Sequence, residues 1–512
     1  MLNAFIMALL LAIIGCKEKA SPLVKEVTGG KVKGMLLQEH GVYSFKGIPF
    51  AQPPVGNLRW QAPQAVEPWE GIKECTAFSA SPMQDKPRPF MFWSKEFLIP
   101  EEPISEDCLY LNVWTKAQSA EAKLPVLVYI YGGGFRSGGS ACPIYDGTAM
   151  ATKDVVFVSF NYRVGPFGFF SHPDIKPTPE SPTGNYALMD MLAALRWVQD
   201  NIAKFGGDPN NVTIAGQSAG AFAVNHLVAS PKSKGLFHKA LAESGGHFYA
   251  RAERPFTYLE DAQAQGKALA DSLACQNLSE LKKKSAEDIL AMRWYQSTPI
   301  VDGEVVPRTV LETFKQGNQN DVPTIVGWNK DDIVFMPQVS HEVFPDYIKA
   351  QFGKYAEDFL AVYPHSTPKE TSQALKDMNR DEVFASQGYA WAKWQKQTGS
   401  ADVYVYNFNR ALPASKPEAQ FGAFHSGEIV YWYDNLHTLN RPWEDIDRTI
   451  STSLNQYLLN FLKTGNPNGA GLPTWQPYQP KEEDVLIIKE EITAKPLNKD
   501  KLSAWEKYYT QK

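Results

Sequence analysis

The sequence predicts an α/β protein with a largely parallel central sheet flanked by helices, and two observations carry that prediction. Short runs rich in β-branched and aromatic residues recur at 126–130, 155–160, 212–214, 324–326, 403–408 and 485–488, each of a length that crosses a sheet once. Between the second and third runs, over 186–205, Leu188, Leu192, Leu195, Val198 and Ile202 recur at helical spacing, the apolar stripe of an amphipathic helix. Strand, helix, strand in that order builds parallel pairs by crossover. In such sheets reacting groups collect in the loops at the carboxyl ends of strands, so those loops are where chemistry is sought.

The first run leads into Tyr131-Gly132-Gly133-Gly134-Phe135. Consecutive glycines let backbone amides converge on a substrate oxygen, the arrangement of an oxyanion hole, where losing one donor slows a reaction by roughly a hundred- to a thousandfold. A phosphate loop is the rival reading, but the segment lacks the Lys-Ser/Thr of a P-loop and the G-x-G-x-x-G order of a dinucleotide site.

The 212–214 run leads into Gly216-Gln217-Ser218-Ala219-Gly220, followed by a helix-compatible stretch at 221–229. G-x-S-x-G between a strand and a helix is a nucleophile elbow: the serine sits on a tight turn that pushes its hydroxyl into a pocket, and neighbouring side chains would clash there. A chance Gly/Ser turn is the bland alternative, and the flanking strand and helix weigh against it. Ser218 is therefore the candidate nucleophile.

With these motifs in hand, the segment FGGDPNNVTIAGQSAG at 205–220 resembles the nucleophile signature of the type-B carboxylesterase and cholinesterase family, to which bacterial para-nitrobenzyl-esterase-like carboxylesterases belong. GIPFAQPPVGNLRW at 47–60, SEDCLYLNVW at 105–114, NYRVGPFGF at 161–169 and TGNPNGAGLPTW at 464–475 are similar to further stretches of that family, so the resemblance spans nearly the whole chain. It implies the α/β-hydrolase fold, hydrolysis of carboxylic esters through an acyl-enzyme, and oxyanion donors at the amides of Gly133, Gly134 and Ala219.

A serine nucleophile needs a base and the base an orienting acid, in the chain order Ser, Asp/Glu, His for this fold. The 324–326 run leads into Gly327-Trp328-Asn329-Lys330-Asp331-Asp332, similar to the family's G-x-N-x-D-E-G loop with Asp332 at the usual glutamate. Aspartate is one methylene shorter, so either the loop shifts inward or Asp331 shares the role. Of the nine histidines, His341, His365, His425 and His437 follow this acid. His425, in Gly422-Ala423-Phe424-His425-Ser426-Gly427-Glu428 after the 403–408 run, resembles the family's G-A-x-H-x-x-E loop and is the candidate base. By the same resemblance Ser244 hydrogen-bonds the acid and Glu428 supports the histidine loop, and a purely structural hydrogen bond is the alternative for each. His247 is a further residue that ends near the pocket on this reading.

The segment PRPFMFWSKEFLIP at 87–100 corresponds to the family's loop over the gorge mouth, with Phe90, Phe92, Trp93 and Phe97 as candidate substrate contacts or core residues. Trp93 lies several residues from the tryptophan of choline-binding relatives, so choline esters are not expected. The family's disulfide partners of Cys108 and Cys275 are replaced around Pro82 and Glu280, and the four cysteines Cys75, Cys108, Cys142 and Cys275 are assigned no pairing.

With 512 residues, 44% hydrophobic, and no repeat or linker after residue 25, the chain reads as one domain over 25–512. A net charge of −5 and no basic stripe exclude nucleic acid as a partner. Lys282, Lys283 and Lys284 read as a solvated helix face. No H-E-x-x-H and no paired Cys or His spacing supports a metal, and no cofactor is expected. Residues 2–14 are nearly all apolar, too short to span a bilayer, and end in Ile-Ile-Gly-Cys. This resembles the lipobox of bacterial lipoproteins, giving a signal peptide at 1–16, lipidation of Cys16 and a tether at 17–24; an ordinary signal peptide cut nearby is the alternative. Either implies an exported enzyme, periplasmic or at the cell surface, that touches a membrane only through the Cys16 anchor. The expected function is hydrolysis of small to medium, including aromatic, carboxylic esters; the alternatives are hydrolysis of hydroxycinnamate esters or amides, and surface recognition by a non-catalytic binding protein, against which the retained Ser218, His425, acid and triple glycine argue.

Overall fold

The computed structural model describes residues 22–178, 182–251, 255–295, 297–333, 339–415 and 421–511. The signal segment at 1–16, with Cys16, and most of the tether lie outside the described residues. An eleven-stranded sheet forms the centre. In chain order its strands are β1 (Met35–Leu37), β2 (Val42–Pro49), β3 (Tyr110–Thr115), β4 (Leu124–Ile130), β5 (Val156–Phe160), β6 (Gly207–Gln217), β7 (Lys239–Glu243), β8 (Thr324–Asn329), β9 (Val403–Phe408), β10 (Asp484–Ile488) and β11 (Ile492–Pro496). Across the sheet the order is β11-β10-β9-β8-β7-β6-β4-β5-β3-β2-β1. Every pairing from β10 through to β5 is parallel. The two margins are antiparallel.

The parallel strands are buried on both faces, which explains why they read as continuous apolar runs rather than alternating ones. Val126, Val128, Val156, Val158, Ile214, Ile325 and Val405 are all at most 1% exposed. All six expected strands are present. The largest difference is β6, which begins at Gly207: Gly207 pairs with Leu124, the register then shifts, and regular pairing resumes at Val212. The Gly-Asp-Pro-Asn-Asn stretch has turn composition, and the bulge hides its place in the strand.

Helices cover the sheet, among them α1 (Tyr186–Asn201), α2 (Ala219–Ala229), α3 (Pro368–Arg380), α4 (Ser386–Thr398) and α5 (Asp500–Gln511). The helix expected over 186–205 closes at Asn201, and a 3₁₀ turn over Ile202–Phe205 carries the chain to Gly206, whose φ of 80° ends it. Between α3 and α4 the segment Asp381–Ala385 widens into a π-helical turn. Besides the main core around the sheet, Phe344, Phe359, Tyr363, Met378 and Trp505 belong to a second apolar cluster, formed under the 344–380 helices and α5. Among the described residues no helix is long and apolar enough to cross a membrane.

Candidate active site

Four loops, each following the carboxyl end of a parallel strand, meet over the middle of the sheet. After β6, Ser218 adopts φ 56° and ψ −126°, a strained conformation between strand and α2. Its amide donates to the carbonyl of Glu243 at 2.9 Å, and its own carbonyl accepts from Phe222 N at 2.9 Å to start the helix. The flanking glycines are required by space: a Cβ on Gly220 would stand 1.9 Å from the carbonyl oxygen of Ile130. Helix α2 begins at Ala219, two residues before its expected start. The Ala219 amide is thereby set at the helix N-terminus beside Ser218.

After β4, the triple glycine turns back on itself. Gly133 has φ 115°, and its carbonyl accepts from Arg136 N at 3.1 Å and Ser137 N at 3.0 Å. Two braces hold this loop. Tyr131 and Tyr162 stack with centroids 4.3 Å apart and exchange hydroxyl-to-carbonyl bonds of 3.0 and 2.8 Å. Gln84 bonds both the amide and the carbonyl of Gly138, at 2.8 and 2.7 Å.

After β8 and β9, the two expected acid and base loops zip together. Asp331 N donates to Ala423 O at 3.0 Å, and Ala423 N donates to Asp331 Oδ2 at 2.9 Å. Asp332, fully buried, points the other way: its Oδ1 lies 2.5 Å from His425 Nδ1, and its Oδ2 accepts from Asn329 N at 2.9 Å. The shorter aspartate thus reaches the imidazole, while Asp331 fastens the histidine loop. His425 is 1% exposed and stacks on Phe384 from the π turn, centroids 4.7 Å apart. The Gln217 amide nitrogen lies 3.3 Å from both ring nitrogens. Its oxygen accepts from Ser426 Oγ at 3.1 Å, and Ser426 Oγ in turn accepts from Trp93 Nε1 at 3.4 Å.

The supporting residues divide. Glu428 is fully buried and accepts from Asn329 Nδ2, which also donates to Phe424 O at 2.7 Å, so the glutamate does stand behind the histidine loop. Ser244 is a correction. It is buried with φ 55°, its amide donates to Gly327 O at 2.9 Å, and its hydroxyl has no hydrogen-bond partner among the described residues. The Asp332 oxygens are already engaged by His425 and Asn329. His247 meets His226 instead, ring nitrogens 3.1 Å apart. Burial alone pushes the His226 imidazole down to about 3. Behind the site a second buried glutamate, Glu243, accepts from the Tyr433 hydroxyl. Burial holds its carboxyl well above the usual range, and burial together with the charges of Glu243 and Asp332 does the same to Glu428.

These loops line a cavity of about 1020 Å³ that contains Gly133, Gly134, Ser218 and His425. Phe90, Trp93 and Phe97 of the 87–100 segment line it too, whereas Phe92 is buried and stacks on Phe424. Sequence reasoning missed Gln217 and Phe384, and also Arg251, which lines the cavity. Gln217 sat inside the recognised pentapeptide, but a π turn such as the one carrying Phe384 has no local signature. Among the described residues no group of three or more His, Cys, Asp or Glu could hold a metal ion. Cys75, Cys108, Cys142 and Cys275 are all buried and free.

The π turn is anchored from the far end of the chain. Trp505 Nε1 in α5 donates to the Tyr363 hydroxyl at 2.8 Å, which donates to Asp381 Oδ2 at 2.8 Å. Lys501 reaches Asp377 at 2.7 Å, and the Tyr509 hydroxyl reaches Glu382 at 3.1 Å.

Comparison with known proteins places this geometry in context. The Carboxylesterase family matches residues 21–505. The chain is 35% identical to a fumonisin B1 esterase of Sphingopyxis macrogoltabida, covering 90% of this chain and 85% of that protein. It is 32% identical to carboxylesterase 1F of Mus musculus, covering 99% and 97%, and 32% identical to a cocaine esterase of Homo sapiens, covering 98% and 94%. A match over nearly the full length, to relatives that all cleave esters, and a sheet of this topology lead to one conclusion: the chain belongs to the carboxylesterase family and is a serine carboxylic ester hydrolase of the α/β-hydrolase fold.

Proposed function

We propose that Ser218 is the nucleophile, His425 the general base and Asp332 its orienting acid, with the amides of Gly133, Gly134 and Ala219 as oxyanion donors. The observation that carries the reading is the 2.5 Å contact between Asp332 and a buried His425 in the same cavity as Ser218. His425 takes the Ser218 proton as the oxygen attacks the ester carbonyl, and the three amides hold the resulting oxyanion. The C–O bond to the alcohol then breaks with proton return from His425, leaving an acyl-Ser218 ester. Water, deprotonated by His425, attacks that ester and releases the acid and free Ser218. Asp332 stabilises the imidazolium without itself taking a proton.

A cavity of about 1020 Å³ with Phe90, Trp93 and Phe97 in its wall supports medium-sized esters, aromatic ones included. The test is hydrolysis of p-nitrophenyl butyrate beside the Ser218→Ala variant, with fluorophosphonate labelling. Loss of both turnover and label in the variant supports the reading. An unlabelled, inactive but folded wild type would return the chain to a binding role.

We further infer that residues 1–16 direct export, that Cys16 carries lipid, and that residues 25–512 act as one domain at the periplasmic or cell surface. The apolar run before Gly15-Cys16 supports this. A Cys16→Ser variant that stays in the membrane fraction would sink it.

A further inference from the structure

The chain is acidic overall, with a net charge of −5, yet its ester cavity is cationic. Lys86, Arg88, Arg136, Arg251 and Arg293 line it against a single acid, Asp85, among the described residues. Two of the cations are already compensated at the exposed rim: Arg293 pairs with Asp85 at 2.9 Å and Lys86 with Glu102 at 2.8 Å. Such exposed pairs contribute little and leave the interior unaltered.

Arg251 and Arg136 are different. Arg251 is 8% exposed and forms no ion pair within 4 Å among the described residues; its charge faces the Tyr509 hydroxyl, which donates to Glu382 at 3.1 Å. Taking a guanidinium out of water without a directly bonded carboxylate is costly, and the cost is offset when an anion joins it. Arg136 stands two residues after Gly134, with its amide donating to the Gly133 carbonyl at 3.1 Å and its Nη2 donating to the Tyr295 carbonyl at 3.2 Å. That bond fixes the side chain and leaves most of its fork of donors unused. The aromatic wall of Phe90, Trp93 and Phe97 supplies apolar contact, so the cavity combines a greasy surface with fixed positive charge.

We propose that the preferred substrates are esters that carry a free carboxylate remote from the scissile bond, with Arg251 and Arg136 as the residues that read that carboxylate. Planar guanidinium groups bind carboxylates through paired N–H···O bonds. A fixed field in a partly enclosed cavity also draws anions in and sets orientation. The proposal rests on the serine-esterase reading above and adds specificity to it.

The experiment compares monomethyl adipate with methyl hexanoate, an anionic and a neutral ester of matched chain length, by alkali uptake at pH 7.5 with the full chain. The expected kcat/KM ratio favours the adipate ester by about tenfold or more and falls as ionic strength rises. Arg251→Gln and Arg136→Gln each cut that ratio by about tenfold, and Arg251→Lys keeps part of it. Arg136 is exposed, so its variant reports even if loss of buried Arg251 disturbs folding. Equal or greater activity on methyl hexanoate overturns the specificity and leaves the esterase reading standing, as does a ratio unchanged in both glutamine variants. No turnover of either ester, nor fluorophosphonate labelling, overturns both.

Discussion

His425 Nδ1 stands 2.5 Å from Asp332 Oδ1, while the adjacent Asp331 turns away and holds the amide of Ala423. Two neighbouring carboxylates on one loop therefore make different contacts. Asp332→Asn is expected to lower kcat by about 10⁴-fold with little loss of stability, because the amide favours the wrong imidazole tautomer. Asp331→Asn is expected to cost about 1–2 kcal/mol of stability through the lost loop bond and to change kcat far less. Steady-state kinetics beside urea unfolding separate the two, and a larger kcat loss for Asp331→Asn would reverse the assignment.

Phe384 lies flat on the His425 ring and is 2% exposed. Phe384→Ala should cost about 3 kcal/mol by opening a cavity and slow turnover by about tenfold, since the imidazole loses one wall of its seat. Phe384→Leu should recover most of the stability and only part of the rate. Equal recovery of both would indicate a purely structural role.

Glu243 and Glu428 have their carboxyl pKa values raised by burial. The folded state then holds protons that the unfolded chain has released, so stability on this account is fully present below the unfolded pKa near 4.5 and is lost as pH rises toward the folded values. The slope approaches about 1.4 kcal/mol per pH unit for one group. Urea midpoints from pH 5 to 8 should decline in the wild type and decline less in Glu243→Gln. A steeper decline in the variant would contradict the account.

Cys75, Cys108, Cys142 and Cys275 are free and buried, and burial raises every one of their thiol pKa values. Dithiothreitol should leave Tm unchanged, and all four thiols should titrate with Ellman's reagent once the chain is unfolded without reductant. A lower Tm under reduction would reveal a disulfide.

The parallel strands were legible because burial on both faces makes them uninterrupted apolar runs. The antiparallel margins were not: β1 has only three half-buried or exposed residues, and β11 is half-buried at Ile492 and Thr493 and exposed beyond them, so neither carries an apolar signature. Around the cavity, the meeting of the Asp332 and His425 loops beside Ser218 was readable because local loop chemistry marks each of those turns. The role of Ser244 was not, because a serine's bonding depends on which oxygens its tertiary partners have left free. Arg251 was invisible for a similar reason: its position in the cavity depends on contacts between segments far apart in the chain.

The anchoring of the π turn by α5 ties the seat of His425 to a distant segment of the chain. Tyr363 and Asp381 are made long before Trp505, yet the hydrogen-bonded series from Trp505 through Tyr363 to Asp381 closes only with the last helix, residues Asp500–Gln511. Proteolytic loss of α5 would therefore leave Ser218, Asp332 and His425 in the chain while removing the support behind the turn on which the His425 ring is stacked.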